Sequence, residues 1–376
     1  MSKKRILHLA KWYPNKEEPL LGIFVRKHIQ SIQSHYKHKV ISIYQTQNIK
    51  SNIQRVESKF ENIHEVIYYY KKNPQNKLKV FLRVCLEIFK SDFSLIHAHV
   101  MGWTSSVASV FSTIKKIPFI ITEHWTGYRK GSYKKLNFIS KLTRRISAKR
   151  AAQLQVVSKF LKQDMIASRI KANYSILPNV VDGYSTDSVI KNKVFSFVFV
   201  GDLDQEHKNV RGIIESFQKL NQLIKNTQLD IIGSGKNYDE YVALADALGM
   251  NAKIKFHGSK ENTEVFNLLQ QSHVLVLNSY FETFSIICAE ALLCGIPVIS
   301  TKCGGPESFL NDHTGIMIDI GNKDQLTEAM LTIINNYESY SSEELKKIAK
   351  QFSMKTIGNK LNEEYHRIMN SYISNI

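Results

Sequence analysis

Two glutamates, Glu282 and Glu290, stand eight positions apart in the run NSYFETFSIICAEALLCGIPVIST, residues 278–301. Both lie in apolar sequence, where a carboxylate without a partner is costly. The strand-like HVLVLNS ends at Ser279. A loop follows, and Ser285 is placed to cap a helix, IICAEALLCG, that Gly295 and Pro297 bring to a stop. Such a helix start offers free N–H groups and a positive dipole end to an anion such as a diphosphate. Glu290, a turn inside the helix, can accept two hydrogen bonds from a vicinal diol of the kind a ribose carries, and Glu282 can accept from sugar hydroxyls. On spacing alone, a capping or ion-paired glutamate fits each position equally well.

Other chemistry-bearing residues fall at the ends of strand-like runs. In SLIHAHV, Leu95, His97 and His99 share one strand face. A His-x-His pair can ligate a metal, but no third ligand stands at a suitable spacing, so no metal is expected. The next run ends ITEHWTGY and delivers Glu123, His124 and Trp125 as candidates for sugar or acceptor contact. The Trp125 ring can stack on a sugar or simply pack.

These residues need elements to hold them. Strand-like runs alternate with helical spacing along the chain: KRILHLA, KVISIYQ, HEVIYYY, FSLIHAHV, PFIITEH, LQVVS and YSILPN in the first half, then FSFVFVGDL, LDIIGSG, KIKFHG, HVLVLNS, PVIST and GIMID. This pattern predicts two doubly wound α/β domains, each a parallel sheet covered on both faces. Their loops would bind ligands at the carboxyl ends of the strands. The polar segment 177–193 sets the boundary, giving domains 1–185 and 186–376, with terminal helices from about 341 free to return to the first domain.

The 376 residues carry 51 Lys and Arg against 33 Asp and Glu, a net charge of +18. Residues 1–185 hold 33 basic and 10 acidic residues (+23), whereas the remainder holds 18 and 23 (−5). The first half should therefore meet something anionic. The four cysteines form no C-x-x-C pair, which fits reduced thiols in a cytoplasmic protein. No stretch is long and apolar enough for a membrane-spanning helix, and the N-terminal apolar run is broken by His8 and Lys11, a poor signal peptide.

The block E-T-F-S-x-x-x-x-E, with A-L-x-C-G-x-P-V-I-x-T and G-G-P-E after it, resembles the E-x7-E signature of glycosyltransferase family 4. Those are retaining, nucleotide-sugar-dependent enzymes of the GT-B fold, two Rossmann-like domains facing a cleft. The resemblance covers essentially the whole chain. It implies that Glu282 contacts hydroxyls of the donor sugar, that Phe284 and Ser285 sit where backbone amides meet sugar and diphosphate, and that Glu290 binds the ribose. PLLGIFVRKHI is similar to the family's glycine loop beside the donor phosphates, with Gly22 at the glycine; a turn glycine leading a helix is a compatible reading. His99 matches the family histidine near the donor sugar. The stretch VGDLDQEHKNVRG, opening at Gly201, resembles G-R-L-x-x-x-K-G: Lys208 matches the lysine, but Asp202 stands where the arginine is expected. The diphosphate clamp must then rely on Lys208, helix-end amides and a base from elsewhere, such as Arg26.

Loss of the diphosphate builds positive charge on the sugar and negative charge on the leaving group, which Lys208 and helix amides can stabilise without a metal. No D-x-D motif that would bind a metal is recognised, and no cofactor is expected. The resemblance places the acceptor on the first domain, with Arg26, His124 and Trp125 as candidates. Its basic charge suits a lipid-linked or lipopolysaccharide-type acceptor at the cytoplasmic membrane face. Within KKLNFISKLTRRISAKRA, Leu136, Ile139, Leu142 and Ile146 recur at helical spacing, and we expect that stripe to pack on the core while basic residues face lipid headgroups. Two other functions are compatible: a nucleotide-sugar isomerase of the same fold, and a protein that binds an anionic polymer without sugar chemistry. No zinc-finger spacing or RNA-binding signature is present, so no specific nucleic acid is expected.

Overall fold

The computed structural model describes residues 3–129, 131–183, 190–204 and 206–374. The chain divides into two compact units, residues 1–180 with 354–376, and residues 181–353. The expected boundary near residue 185 falls outside the described residues.

The first unit is built on an eight-stranded sheet in the order β3-β4-β2-β1-β5-β6-β7-β8. Its strands are β1 (Arg5–Ala10), β2 (Lys37–Gln45), β3 (Ile53–Phe60), β4 (Ile63–Tyr70), β5 (Leu95–His99), β6 (Phe119–Glu123), β7 (Gln153–Val156) and β8 (Tyr174–Ile176). All pairings are parallel except β3 with β4. β3 was not legible in the sequence because it is an outer strand of mostly exposed, polar residues with little apolar alternation. The connecting helices are α1 (Ile23–Gln30), α2 (Pro74–Phe89), α3 (Trp103–Lys115), α4 (Phe138–Arg150) and α5 (Lys159–Ala167). Parallel strands joined through a helix cross over right-handedly. The step from β1 to β2 runs one way along the sheet, and the steps from β4 to β5, β6 and β7 run the other. Hence α1 covers one face and α2, α3 and α4 cover the opposite one.

The second unit repeats the scheme with six strands in the order β11-β10-β9-β12-β13-β14, all parallel. They are β9 (Phe195–Val200), β10 (Thr227–Ile232), β11 (Ile254–Gly258), β12 (Val274–Leu277), β13 (Val298–Thr301) and β14 (Gly315–Ile318). Its helices are α6 (Val210–Leu223), α7 (Tyr238–Ala247), α8 (Asn262–Gln271), α9 (Ile286–Leu293), α10 (Lys323–Asn335) and α11 (Ser342–Ala349). Phe197, Phe199, Ile213, Phe217 and Met330 form the centre of its core.

The last helix, α12 (Met354–Ile373), belongs to the first unit. Ile357, Leu361, Tyr365 and Ile368, at i, i+4, i+8 and i+11, present one apolar stripe to Ile6, Leu95 and Ile120 of the sheet, on the α1 side. So residues 186–376 do not form one domain, and the terminal helices part company: α11 stays with the second unit and α12 completes the first.

The stripe expected on α4 departs from its prediction. Ile139, Leu142 and Ile146 are 70%, 42% and 45% exposed, and the residues α4 buries are Arg144, Ser147 and Ala148. Small residues at 147 and 148 let the helix approach the layer beneath, which turns the apolar side chains outward.

Leu361 is fully enclosed between α12 and the sheet. Leu361→Ala is expected to lower the unfolding free energy by about 2–5 kcal/mol, read as a shift of the urea midpoint; an unchanged midpoint would mean α12 is not part of that core.

Candidate functional site

In the second unit, Lys208 and Glu282 are brought together across 74 residues of sequence. The Lys208 Nζ donates to Glu282 Oε1 at 2.6 Å, and Ser279 Oγ donates to the same oxygen at 3.0 Å. Both side chains are largely buried. Burial disfavours the charged ammonium, but the adjacent Glu282 carboxylate outweighs it and holds the Lys208 pKa above the ordinary lysine value. The short 3₁₀ turn carrying Lys208 is zipped to the loop after β12. Tyr280 N–H donates to His207 O at 2.7 Å, and the His207 ring stacks on Phe281 at 4.2 Å.

A second loop closes on Glu282 from the far side. Its N–H donates to Cys303 O, and its carbonyl accepts from Gly305 N–H. A side chain at Gly305 would put its Cβ 2.3 Å from Phe284 N, so only glycine permits this approach. Phe284 is buried, its ring packed against Phe309 and Phe352.

Ser285 occupies the position before α9, but its hydroxyl caps no backbone N–H. It donates to Cys288 Sγ at 3.2 Å. Its φ of +67° is the left-handed conformation that non-glycine residues rarely adopt. The expected serine cap is therefore absent, and the first-turn N–H groups keep their capacity for an outside acceptor. Glu290 lies in the next turn of α9, half-buried.

Gly201 follows β9, its N–H donating to Ile232 O. Exposed Asp202 accepts from Asp204 N–H at 2.8 Å. It thus ties a turn at the position where the sequence comparison looked for a phosphate-binding arginine.

In the first unit, Gly22 leads α1 with a φ of +66°, and an added Cβ would stand 2.4 Å from Trp12 O. It is a turn glycine locked against the β1–α1 loop. Arg26, expected as an acceptor or phosphate contact, is instead committed to Glu65 through Nε at 2.9 Å and Nη2 at 2.8 Å. Tyr13 and Ser58 hydroxyls complete that carboxylate's shell. Glu123 is likewise structural: it is buried and accepts from the N–H groups of Met101, His124 and Trp125. Trp125 is half-exposed, edge-on to Tyr128, with the Lys11 and Arg144 cations each 5.7 Å from its ring centre. His124 is buried against Phe24 at 4.3 Å.

His99 ends a chain of imidazoles that the sequence reading missed. His38 Nε2 meets the carbonyl of Ile32 at 3.3 Å, His8 Nε2 meets His38 Nδ1 at 2.9 Å, and His8 Nδ1 meets His99 Nε2 at 3.1 Å. A carbonyl only accepts, so His38 must carry its proton on Nε2, His8 on Nε2 and His99 on Nε2. The chain leaves His99 Nδ1 as a buried acceptor with no partner among the described residues. His8 interrupts the apolar run of β1, the one signal that could have singled it out. It also supplies the third imidazole that spacing did not reveal: ligand atoms of His8, His97 and His99 lie within 4.8 Å of one another. Yet His8 spends both ring nitrogens on histidines, and His97 spends both on Tyr365 and Thr122, each at 2.6 Å. A hydrogen-bonded array accounts for the cluster without an ion.

These results define a two-unit α/β protein of the GT-B class, and comparison with known proteins agrees. Residues 183–352 match the family model "Glycosyl transferases group 1" and residues 34–183 match "Glycosyltransferase Family 4". The chain belongs to this glycosyltransferase family. It is 25% identical over 306 residues to the uncharacterized glycosyltransferase MJ1178 of Methanocaldococcus jannaschii, covering 79% of this chain and 83% of that one. It is 30% identical over 130 residues to the lipopolysaccharide core biosynthesis glycosyltransferase LpsE of Rhizobium meliloti. That match spans 34% of this chain and about a third (36%) of the relative's length. Among solved structures, Anabaena HepE in complex with UDP and glucose superimposes with a TM-score of 0.72 at 16% identity, over 97% of this chain and all of that one.

Burial holds His8, His97, His99 and His124 neutral, with pKa values well below the usual range, and lowers His28 and His38 to about 4. The unfolded chain takes up these protons near pH 6.5, so full stability is present above that pH and falls as pH drops from 6.5 towards 4. Each histidine kept neutral contributes a slope of about 1.4 kcal/mol per pH unit. Urea titrations at pH 7 and pH 5 should show a loss worth more than one histidine; a pH-independent midpoint would contradict it.

Proposed function

We propose that the protein is a retaining transferase that moves a hexose or N-acetylhexosamine from a nucleotide sugar, with uridine as base, to a lipid-linked or lipopolysaccharide-type acceptor. The observation that carries this reading is the Lys208–Glu282 pair beside the uncapped start of α9. Lys208 brings positive charge to a buried position, and α9 adds first-turn N–H donors that the Ser285 hydroxyl does not cap. Together they suit a departing diphosphate, and with that charge supplied by the protein no metal is required for the step.

Lys208 would exchange Glu282 for the donor phosphates, which frees the carboxylate to accept from sugar hydroxyls. Glu290 would hold the ribose diol. The bond from the anomeric carbon to the phosphate oxygen breaks, the acceptor oxygen bonds to the same face, and its proton passes to the leaving diphosphate. His99, restricted to an acceptor at Nδ1, would take a hydrogen bond from a sugar hydroxyl. The kinship to the Rhizobium lipopolysaccharide enzyme and the likeness to HepE bound to UDP support the choice of acceptor class and base. The strongly basic first half supports a site of action at the inner membrane face.

Calorimetric titration with UDP and with GDP in EDTA tests the donor site. UDP is expected to bind and GDP to bind more weakly. Glu290→Gln should weaken UDP about tenfold, as loss of a charged hydrogen-bond acceptor does. Glu282→Gln should keep UDP affinity and lose turnover. Binding of neither nucleotide, or full turnover by Glu282→Gln, would overturn this assignment.

A further inference from the structure

The helices α2, α3 and α4 share one face of the first unit, and their outer surface is apolar. On α2 the inner stripe is regular: Asn76, Val80, Val84 and Ile88 are buried against the sheet. The opposite side should be polar in an ordinary surface helix. Instead Leu78, Leu82 and Leu86, each two positions on from a buried residue, stand there with Phe89, 53–62% exposed. Val110 and Ile114 of α3, both 53% exposed, extend the surface. Phe138 and Ile139 at the start of α4 are the most exposed of this set, at 74% and 70%. Scattered apolar residues are common on protein surfaces, but stripes on adjacent helices are not.

The charge around these stripes is mostly of one sign, exposed Asp92 beside Lys115 being an exception. Lys77, Lys79, Arg83 and Lys90 flank the α2 stripe, and Lys134, Lys135, Lys149 and Arg150 flank α4, all exposed. The sole acidic residue within the three helices is Glu87. It is withdrawn from the surface by Lys39, Arg55 and the Tyr68 hydroxyl, which lower its pKa to about 2 against the effect of burial. A second protein would have to match this ring of cations with acids, and a second copy of this chain brings the same cations. A bilayer with anionic headgroups matches both features at once: apolar side chains enter the acyl boundary while lysines and arginines meet phosphates.

We propose that the α2–α3–α4 face inserts into the interfacial layer of an anionic membrane, so that attachment is hydrophobic as well as electrostatic. The sequence reading differs, since it had the α4 stripe in the core and left attachment to charge alone. An inserted face resists salt, whereas a purely electrostatic one does not. This surface deepens the lipid-linked acceptor reading and rests on it only for its purpose. Vesicle binding is scored without turnover, so the two can fail separately.

The test is sedimentation with vesicles of phosphatidylcholine plus phosphatidylglycerol, and of phosphatidylcholine alone, in low and in molar salt. The full chain should bind the anionic vesicles and keep part of that binding in molar salt. Leu82→Glu with Phe89→Glu, and separately Phe138→Glu with Ile139→Glu, should each weaken vesicle binding about tenfold or more. Their urea midpoints and UDP affinity should not change, because these side chains already face solvent. Lys79→Gln with Arg83→Gln should weaken binding in low salt and leave the salt-resistant part. Binding that molar salt abolishes and the glutamates do not alter overturns insertion. So does no vesicle binding by a chain that binds UDP. Self-association of the wild type that the glutamates break, without vesicle binding, assigns the face to a second copy. Vesicle binding without binding of UDP or GDP leaves the surface standing and removes the donor-site reading.

Discussion

A parallel sheet can tolerate water on neither face, and most of this molecule follows from that constraint. Strands that run one way must be joined by crossovers, crossovers bring helices, and the connecting loops collect at the carboxyl ends of the strands. Most of the residues singled out for chemistry stand in such a loop or just before it, Glu290 inside α9 being an exception. Lys208 follows β9, Glu282 follows β12, His99 closes β5 and Trp125 follows β6. The covering of both faces also explains α12: α1 alone cannot close its side of an eight-stranded sheet, and the chain returns from the second unit to finish the task.

Within the second unit, local conformational cost is concentrated at the loop ends that the sequence motif marks. Ser285 holds a left-handed backbone, Gly305 lies against Phe284, and a lysine is buried beside a glutamate. None of these features improves stability by itself. Each becomes intelligible if the loops are shaped for a ligand that brings two negative charges and several hydroxyls.

The alternation of strands and helices was plain in the sequence because buried parallel strands read as short β-branched runs, HVLVL or FSFVFV, between amphipathic helices. The E-x7-E block was plain because two glutamates in apolar sequence are conspicuous. What escaped was set by tertiary contact. Arg26 has the type and place of a phosphate ligand, and only the fold reveals Glu65 across 39 residues. Asp202 looked like a defect in a clamp until the turn it ties was visible. The imidazole chain joins three strands, so no local spacing encodes it. The outward stripe of α4 has the same periodicity as an inward one, and periodicity states that a face exists without saying which way it points.

The return of α12 has a consequence for synthesis. The first unit is discontinuous in sequence: the side of its sheet carrying Ile6, Leu95 and Ile120 is sealed by residues that follow Ser353. On the ribosome, the second unit is therefore complete before the first can close. An apolar sheet surface waits uncovered during translation of everything between, a natural client for a chaperone. Maturation runs backwards relative to the order of the genetic message, because the sheet of the first unit is translated before the helix that seals it.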